Sequence, residues 1–401
     1  MPMSDFTTSI ATRITSYSVL MLVVFVSLGV AQEPSPSKIR KSSYQVRLKS
    51  PGASGKSMNG FVVAEGLDGG CLFQENNGRL HLFVAKETES IEKTATPFEP
   101  LTSAQISAQM LAELPKGFRA TSTKHYVICY NTTEAYAKWN GALYERLLRG
   151  FYTYWKRLGV ELHEPEFPLV AVVFENRDNY VKYAKGEDVL NAESMIGYYN
   201  LLSNRIAGYD LTGVEGMIPK GKSVNTAELI NHILAQRSAE RLVATVVHEA
   251  VHQLSYNSGL QTRLCDNPIA ISEGLAMFFE SPDLSNATGW GGIGKINGFN
   301  YDVFRKSFNS RQSNSLLKLL QDDSRFQDSS SATAAYGESW ALTYFLLKTR
   351  SKEYAAYMTE LSRRPPLEPT DPKRRIADFQ KFFGQDLEKL DREFVKYMSR
   401  L

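Results

Sequence analysis

Cysteine is scarce: the 401 residues contain three, Cys71, Cys129 and Cys265. An odd count so widely spaced is no disulfide framework and leaves room for one bridge at most. A charge of one sign is also lacking, since 46 Lys and Arg against 43 Asp and Glu leave a formal +3. That excess is too small to argue for a nucleic-acid partner. The apolar run Val19–Val30 is shorter than the ~20 residues a membrane-spanning helix needs. No internal repeat stands out. The Gly-rich stretch Gly289–Gly298 follows no strand and lacks the Lys-Ser/Thr ending of a phosphate loop, which argues against nucleotide binding. Histidine is sparse too, with six in the chain and none beyond His252.

What is present is globular in character: 43% hydrophobic and 22% charged residues, without a disordered profile. The length allows one large domain or two to three smaller ones. The chain is organised around Val246-Val247-His248-Glu249-Ala250-Val251-His252-Gln253-Leu254. This is H-E-x-x-H within a run, Ser238 to Tyr256, that has no Gly or Pro. On a helix, residues i and i+4 share a face. His248 and His252 can therefore aim two imidazoles at one point. Glu249 is turned about 100° from His248, beside a bound metal rather than on it. There it can serve as a general base. The helix is apolar nearly all round, so it should be buried. Buried histidines need partners, and a metal is one.

A third ligand must come from elsewhere. A downstream His of the H-E-x-x-H-x-x-G-x-x-H kind is excluded, which leaves carboxylates. Glu273, near the start of a second apolar helix over 267–280, lies 21 positions after His252. That distance lets one helix end and another cross it. Glu280 and Asp266 are its rivals.

His248-Glu249-Ala250-Val251-His252, followed by Ile271-Ser272-Glu273-Gly274-Leu275-Ala276-Met277-Phe278-Phe279-Glu280, resembles the gluzincin metallopeptidases of the thermolysin and aminopeptidase-N type. Their pattern is H-E-x-x-H, then N/S-E-G-x-A on the next helix. The resemblance implies His248, His252 and Glu273 as ligands of one Zn²⁺, Glu249 as catalytic base, and a zincin-like α+β fold. More of the chain, about 114–344, is similar to a bacterial family of secreted proteins known as a domain of unknown function. The matching stretches are Leu114–Phe118, Phe167–Phe174, Gly197–Asn200, Ser203–Ile206, His248–Asn257 and Tyr336–Leu342. That second resemblance carries no substrate.

Before the core, Arg13 and the run Val19–Val30 end in Gly29-Val30-Ala31, with small residues at −3 and −1 for cleavage before Gln32. This pattern reads as a secretory signal peptide over 1–31; left uncleaved, it would be an anchor. A Pro-, Ser- and Lys-rich linker is expected over 32–58. A small β-meander follows over 59–92, built from Phe61–Ala64, Cys71–Phe73 and Leu80–Val84. It is either a docking module for substrate or wall, or a structural prelude. A linking helix is expected within 93–116, a zincin-like core with a small, mainly antiparallel sheet over 117–290, and a helical C-terminal part over 291–401. By the gluzincin resemblance, the strand nearest the metal pairs with extended substrate. Arg205–Tyr209 is the candidate for such strand addition, with an interior position as the alternative.

The expected activity is hydrolysis of peptide bonds by an exported zinc metallopeptidase. Its partner would be a peptide or protein substrate, and its location periplasmic, cell-envelope or extracellular, with no membrane span after signal cleavage. Hydrolysis also needs a donor for the developing oxyanion. Thermolysin-like enzymes use a His, which this chain lacks downstream. A Tyr is therefore implied, as in the aminopeptidase-N type, and Tyr336 is the candidate ahead of Tyr301 and Arg305. No Gly-x-Met-Glu-Asn amine-recognition motif precedes the helix, which disfavours an aminopeptidase. The competing class is a catalytically inactive zincin-fold metal-binding or cell-envelope interaction protein. The mature chain should begin at or near Gln32, as read by N-terminal sequencing of the exported protein; an intact Met1 form in the soluble cytoplasm would refute this reading.

Overall fold

The computed structural model describes residues 42–48, 57–66, 69–213, 225–281 and 291–401. The expected signal segment and the first part of the linker lie outside the described residues. The architecture is α+β, with two five-stranded sheets followed by a helical C-terminal part. No described helix is long and apolar enough to cross a membrane.

The first sheet comprises β1 (Ser42–Leu48), β2 (Ser57–Glu65), β3 (Cys71–Glu75), β4 (Leu80–Phe83) and β5 (Thr88–Pro97). Their order is β4-β3-β2-β1-β5, antiparallel throughout. It is larger than the expected meander. β1 falls within the expected linker 32–58, and β5 runs into the stretch expected to carry the linking helix. β1 alternates at Tyr44, Val46 and Leu48, whereas β5 does not. β5 has no fully buried residue, and its Glu89, Glu92 and Lys93 suit a solvated edge. Such a charged strand acquires its identity from the partner it pairs with. The linking helix itself is α1 (Ser103–Glu113), started by a capping box between Thr102 and Gln105.

The second sheet comprises β6 (Arg119–Ser122), β7 (Tyr126–Tyr130), β8 (Leu169–Phe174), β9 (Gly197–Asn200) and β10 (Arg205–Tyr209), in the order β6-β7-β8-β10-β9. Its two inner pairings, β7–β8 and β8–β10, are parallel, and its two outer pairings are antiparallel. The crossover helices are α2 (Glu134–Arg157) and α3 (Arg177–Gly186). Every residue of YVICY and LVAVVF is buried, as expected for parallel strands covered on both faces. Ile128, Ala171 and Ile206 face α2 and the metal-motif helix, while Val127, Cys129, Val172 and Ala207 face α1 and α3. Arg205–Tyr209 is thus interior and Gly197–Asn200 is the edge. A hairpin puts its two strands side by side but does not say which of them will meet β8.

The remaining helices are α4 (Ala227–Leu234), α5 (Glu240–Asn257), α6 (Ile269–Phe279), α7 (Gly298–Ser307), α8 (Ser315–Gln321), α9 (Ser324–Gln327), α10 (Ala332–Thr349), α11 (Ser351–Leu361), α12 (Pro372–Phe383) and α13 (Leu387–Met398). The buried α10 touches both α6 and α7 at glycines. A Cβ on Gly274 would lie 2.2 Å from Thr343 Oγ1 and 2.5 Å from the Ser339 carbonyl. One on Gly337 would lie 2.7 Å from Val303 Cγ1. Only a residue without a side chain permits that approach. The three cysteines are free and buried.

The connection between α5 and α6 is clamped to the C-terminal helices by charge. Asp266 accepts from Arg364 Nη1 at 2.9 Å and from Arg375 Nε at 2.9 Å. All three side chains are at least 95% buried. Removing one partner of such a buried cluster leaves uncompensated charge inside. Asp266→Asn should therefore lower stability by about 3 kcal/mol or more, read from denaturant unfolding. A midpoint equal to that of the parent would show that the clamp does not hold this connection.

Candidate metal centre

α5 carries His248 and His252 one turn apart, and α6 brings Glu273 against them. The ring nitrogens His248 Nε2 and His252 Nε2 lie 3.1 Å apart. Glu273 Oε2 is 3.1 Å from His248 Nε2, and Glu273 Oε1 is 3.3 Å from His252 Nε2. All three residues are 1–2% exposed. Among the described residues these three form a buried cluster, with ligand atoms within 4.8 Å of one another, that could hold a metal ion. Burial by itself would raise the Glu273 carboxyl; the His252 and His248 imidazoles outweigh it and hold the group well below the ordinary carboxylate range.

The rival acids are accounted for. Glu280 Oε2 lies 2.7 Å from His248 Nδ1, the ring nitrogen facing away from the cluster. Its Oε1 accepts from Asn297 Nδ2 at 2.6 Å and from Asn300 Nδ2 at 3.3 Å. Glu280 therefore hydrogen-bonds a member of the cluster rather than joining it, the kind of contact that orients histidines where a metal is bound. A proton on Nδ1 would suit this acceptor. A neutral His248 then presents the Nε2 lone pair to an acceptor-only carboxylate. That contact requires either a second proton or a cation. Asp266 is turned away and spent on Arg364 and Arg375.

Glu249 departs on its own bearing. Its Oε2 accepts from the Tyr199 backbone N–H of the edge strand at 2.9 Å. Beside it, the cross-strand pair Gly197 and Gly208 leaves a slot of about 20 Å³, also lined by Tyr144 and Val246. Tyr336, on α10, is buried and lies edge-on to Phe326 at 5.3 Å between ring centroids. It lines a larger cavity, about 350 Å³, together with Thr245, Met277 and Glu280. The weaker donor candidates lie elsewhere. The Tyr301 hydroxyl donates to the Met398 carbonyl at 3.4 Å, and Arg305 sits over the Tyr301 ring.

Sequence reasoning weighed Glu280 only as a competing ligand. A signal for its actual place was available: Glu280 is seven residues beyond Glu273, hence on the same helix face. The Tyr199 N–H and the two asparagines before and within α7 had no such signal, because their roles depend on how distant elements meet.

The family described as "Protein of unknown function (DUF1570)" matches residues 242–368. The matched region contains all three members of the cluster, Glu249, Glu280 and Tyr336, and neither sheet. A search of curated proteins returns no match.

Glu273→Ala should reduce metal occupancy as far as His248→Ala or His252→Ala does. Glu280→Gln should keep the site but weaken affinity by roughly 10–100-fold, measured by chelator competition. Loss of metal from Asp266→Ala or Glu280→Ala, with Glu273→Ala still loaded, would overturn the ligand assignment.

Proposed function

We propose that the protein is an exported, zinc-dependent peptide hydrolase with a gluzincin-type site. The observation that carries this reading is the place of Glu249. It is a fourth buried side chain beside a three-residue cluster, directed past it to the edge of a sheet. A purely structural zinc site is normally closed by four protein ligands, whereas catalytic sites keep three and leave a position open. The donor set also fits zinc. A tetrahedral centre with bonds of about 2.0–2.1 Å has ligand-to-ligand edges of about 3.3 Å; here the two Nε2 atoms are 3.1 Å apart, Glu273 Oε2 is 3.1 Å from His248 Nε2, and the other oxygen, Oε1, is 3.3 Å from His252 Nε2. Proposed export rests on the N-terminal segment 1–31 and places the enzyme in the periplasm, cell envelope or exterior.

Zinc held there would supply a Lewis acid, polarising a carbonyl and making water acidic enough to attack at neutral pH. Glu249 takes the proton of the attacking water and passes it to the leaving amine nitrogen. The Tyr199 N–H, donated to Glu249 Oε2 at 2.9 Å, fixes that carboxylate in direction. The Tyr336 hydroxyl donates to the carbonyl oxygen as charge develops on it. An extended peptide would lie along β9, the edge strand that holds Glu249, with no outer neighbour among the described residues, by strand addition.

Glu249→Gln keeps size and hydrogen bonding but cannot accept the proton. It should retain zinc and fold while losing roughly 10²–10⁴-fold in hydrolysis of a broad peptide library. Tyr336→Phe should also keep the metal, with a smaller loss expressed mainly in kcat. A zinc-loaded parent that cleaves nothing, or a Glu249→Gln variant as active as the parent, would sink the proposal.

A further inference from the structure

Arg263 lies in the connection between α5 and α6 and is buried. No carboxylate pairs with it among the described residues; its guanidinium is spent on main-chain carbonyls. Nη1 donates to the Leu201 carbonyl at 3.0 Å, and Nη2 donates to the Gly78 carbonyl at 2.9 Å. Leu201 belongs to the turn between β9 and β10, and Gly78 to the turn between β3 and β4 of the first sheet. Gly78 has φ +86°, and a Cβ there would meet the Phe167 ring at 3.0 Å, so its carbonyl is held in one place. The Leu80 N–H adds a third link, donating to the Leu202 carbonyl at 2.8 Å. Burying a charge without a counter-charge is costly. A planar fork of five donors is well suited to bridging two carbonyls from separate segments at once.

The opposite side of the same turn is tied to the metal-motif helix. Gln253 Nε2 donates to the Asn204 carbonyl at 2.9 Å, and Asn204 and Asn257 exchange amide hydrogen bonds at 2.8 and 2.9 Å. The turn therefore sits between α5 and the N-terminal sheet. It leads directly from β9, whose Tyr199 N–H holds Glu249.

We propose that Arg263 is a positioning residue through which the N-terminal sheet braces the β9 edge strand, and with it Glu249. The sheet is then part of the hydrolytic unit and not an appended docking module. This rests on the reading of Glu249 as general base, but the brace itself has a readout that needs no turnover.

The test uses the full-length, zinc-loaded protein with Arg263→Met and Arg263→Lys. Amide exchange over 197–204 should rise in Arg263→Met and rise less in Arg263→Lys, which can reach one carbonyl but not both. Exchange over 244–254 and zinc content should stay at parental values. On a peptide that the parent cleaves, kcat should fall by up to about 10²-fold, the scale of a displacement near 1 Å, with KM little changed. In a Glu249→Gln background, Arg263→Met should add no further loss. Unchanged exchange over 197–204, zinc loss in step with activity, or an equal kcat loss on the Glu249→Gln background would each overturn the brace. If the zinc-loaded parent cleaves no peptide, the peptidase reading fails while the exchange comparison still decides the brace.

Discussion

Two imidazole nitrogens and the two oxygens of one carboxylate, facing one another across 3.1–3.3 Å, form the contact on which the rest of the structure depends. In a dry interior such atoms repel unless a proton or a cation lies between them. They can be kept together only if the two helices that carry them are held from outside. α5 supplies two members of the cluster by its own periodicity, but the third depends wholly on where α6 crosses it. Gly274 lets α6 press against α10, the Gln261 side chain donates to the Ser272 hydroxyl at 2.7 Å, and Asp266 pins the intervening connection to two arginines. Each acts within a few residues of Glu273 along the chain.

The outer layer of the cluster is acidic on one side and main-chain on the other. Glu280 faces the far nitrogen of His248 and is itself held by Asn297 and Asn300, so α7 is linked to the cluster through one carboxylate. The same carboxylate lines the larger cavity with Tyr336. A molecule entering that cavity would therefore contact groups one hydrogen bond removed from His248. On the other side, the proposed base is tied to a backbone N–H, which cannot rotate away as a side-chain donor can. The direction of Glu249 thus follows the placement of β9.

That placement gives the N-terminal sheet its significance. Among the described residues β9 has a strand neighbour on one side only. Edge strands are the least constrained in a sheet, yet this one must hold a carboxylate in one direction. The turn that follows it is fastened from two directions, by amides of α5 and by a buried guanidinium shared with the first sheet. The region matched by the family of unknown function begins at residue 242, after all of these strands.

The metal-motif helix and the apolar helix carrying Glu273 were legible in the sequence, because each is set by local periodicity and by apolar runs that have one low-energy place to go. Spacing alone put His248 and His252 on one face and turned Glu249 aside. β5 was not legible, since nothing in its composition demands pairing until a partner edge is present, and the short alternation of β1 at Tyr44, Val46 and Leu48 lies in a Pro- and Ser-rich stretch that reads as linker. The parallel pairings, the interior position of Arg205–Tyr209 and the role of Glu280 at His248 Nδ1 were likewise decided only by tertiary structure. Which of three nearby acids meets the histidines depends on the angle at which two helices cross. That angle is set by contacts far away in the chain, at Gly274 against Thr343 and at Asp266 against Arg375.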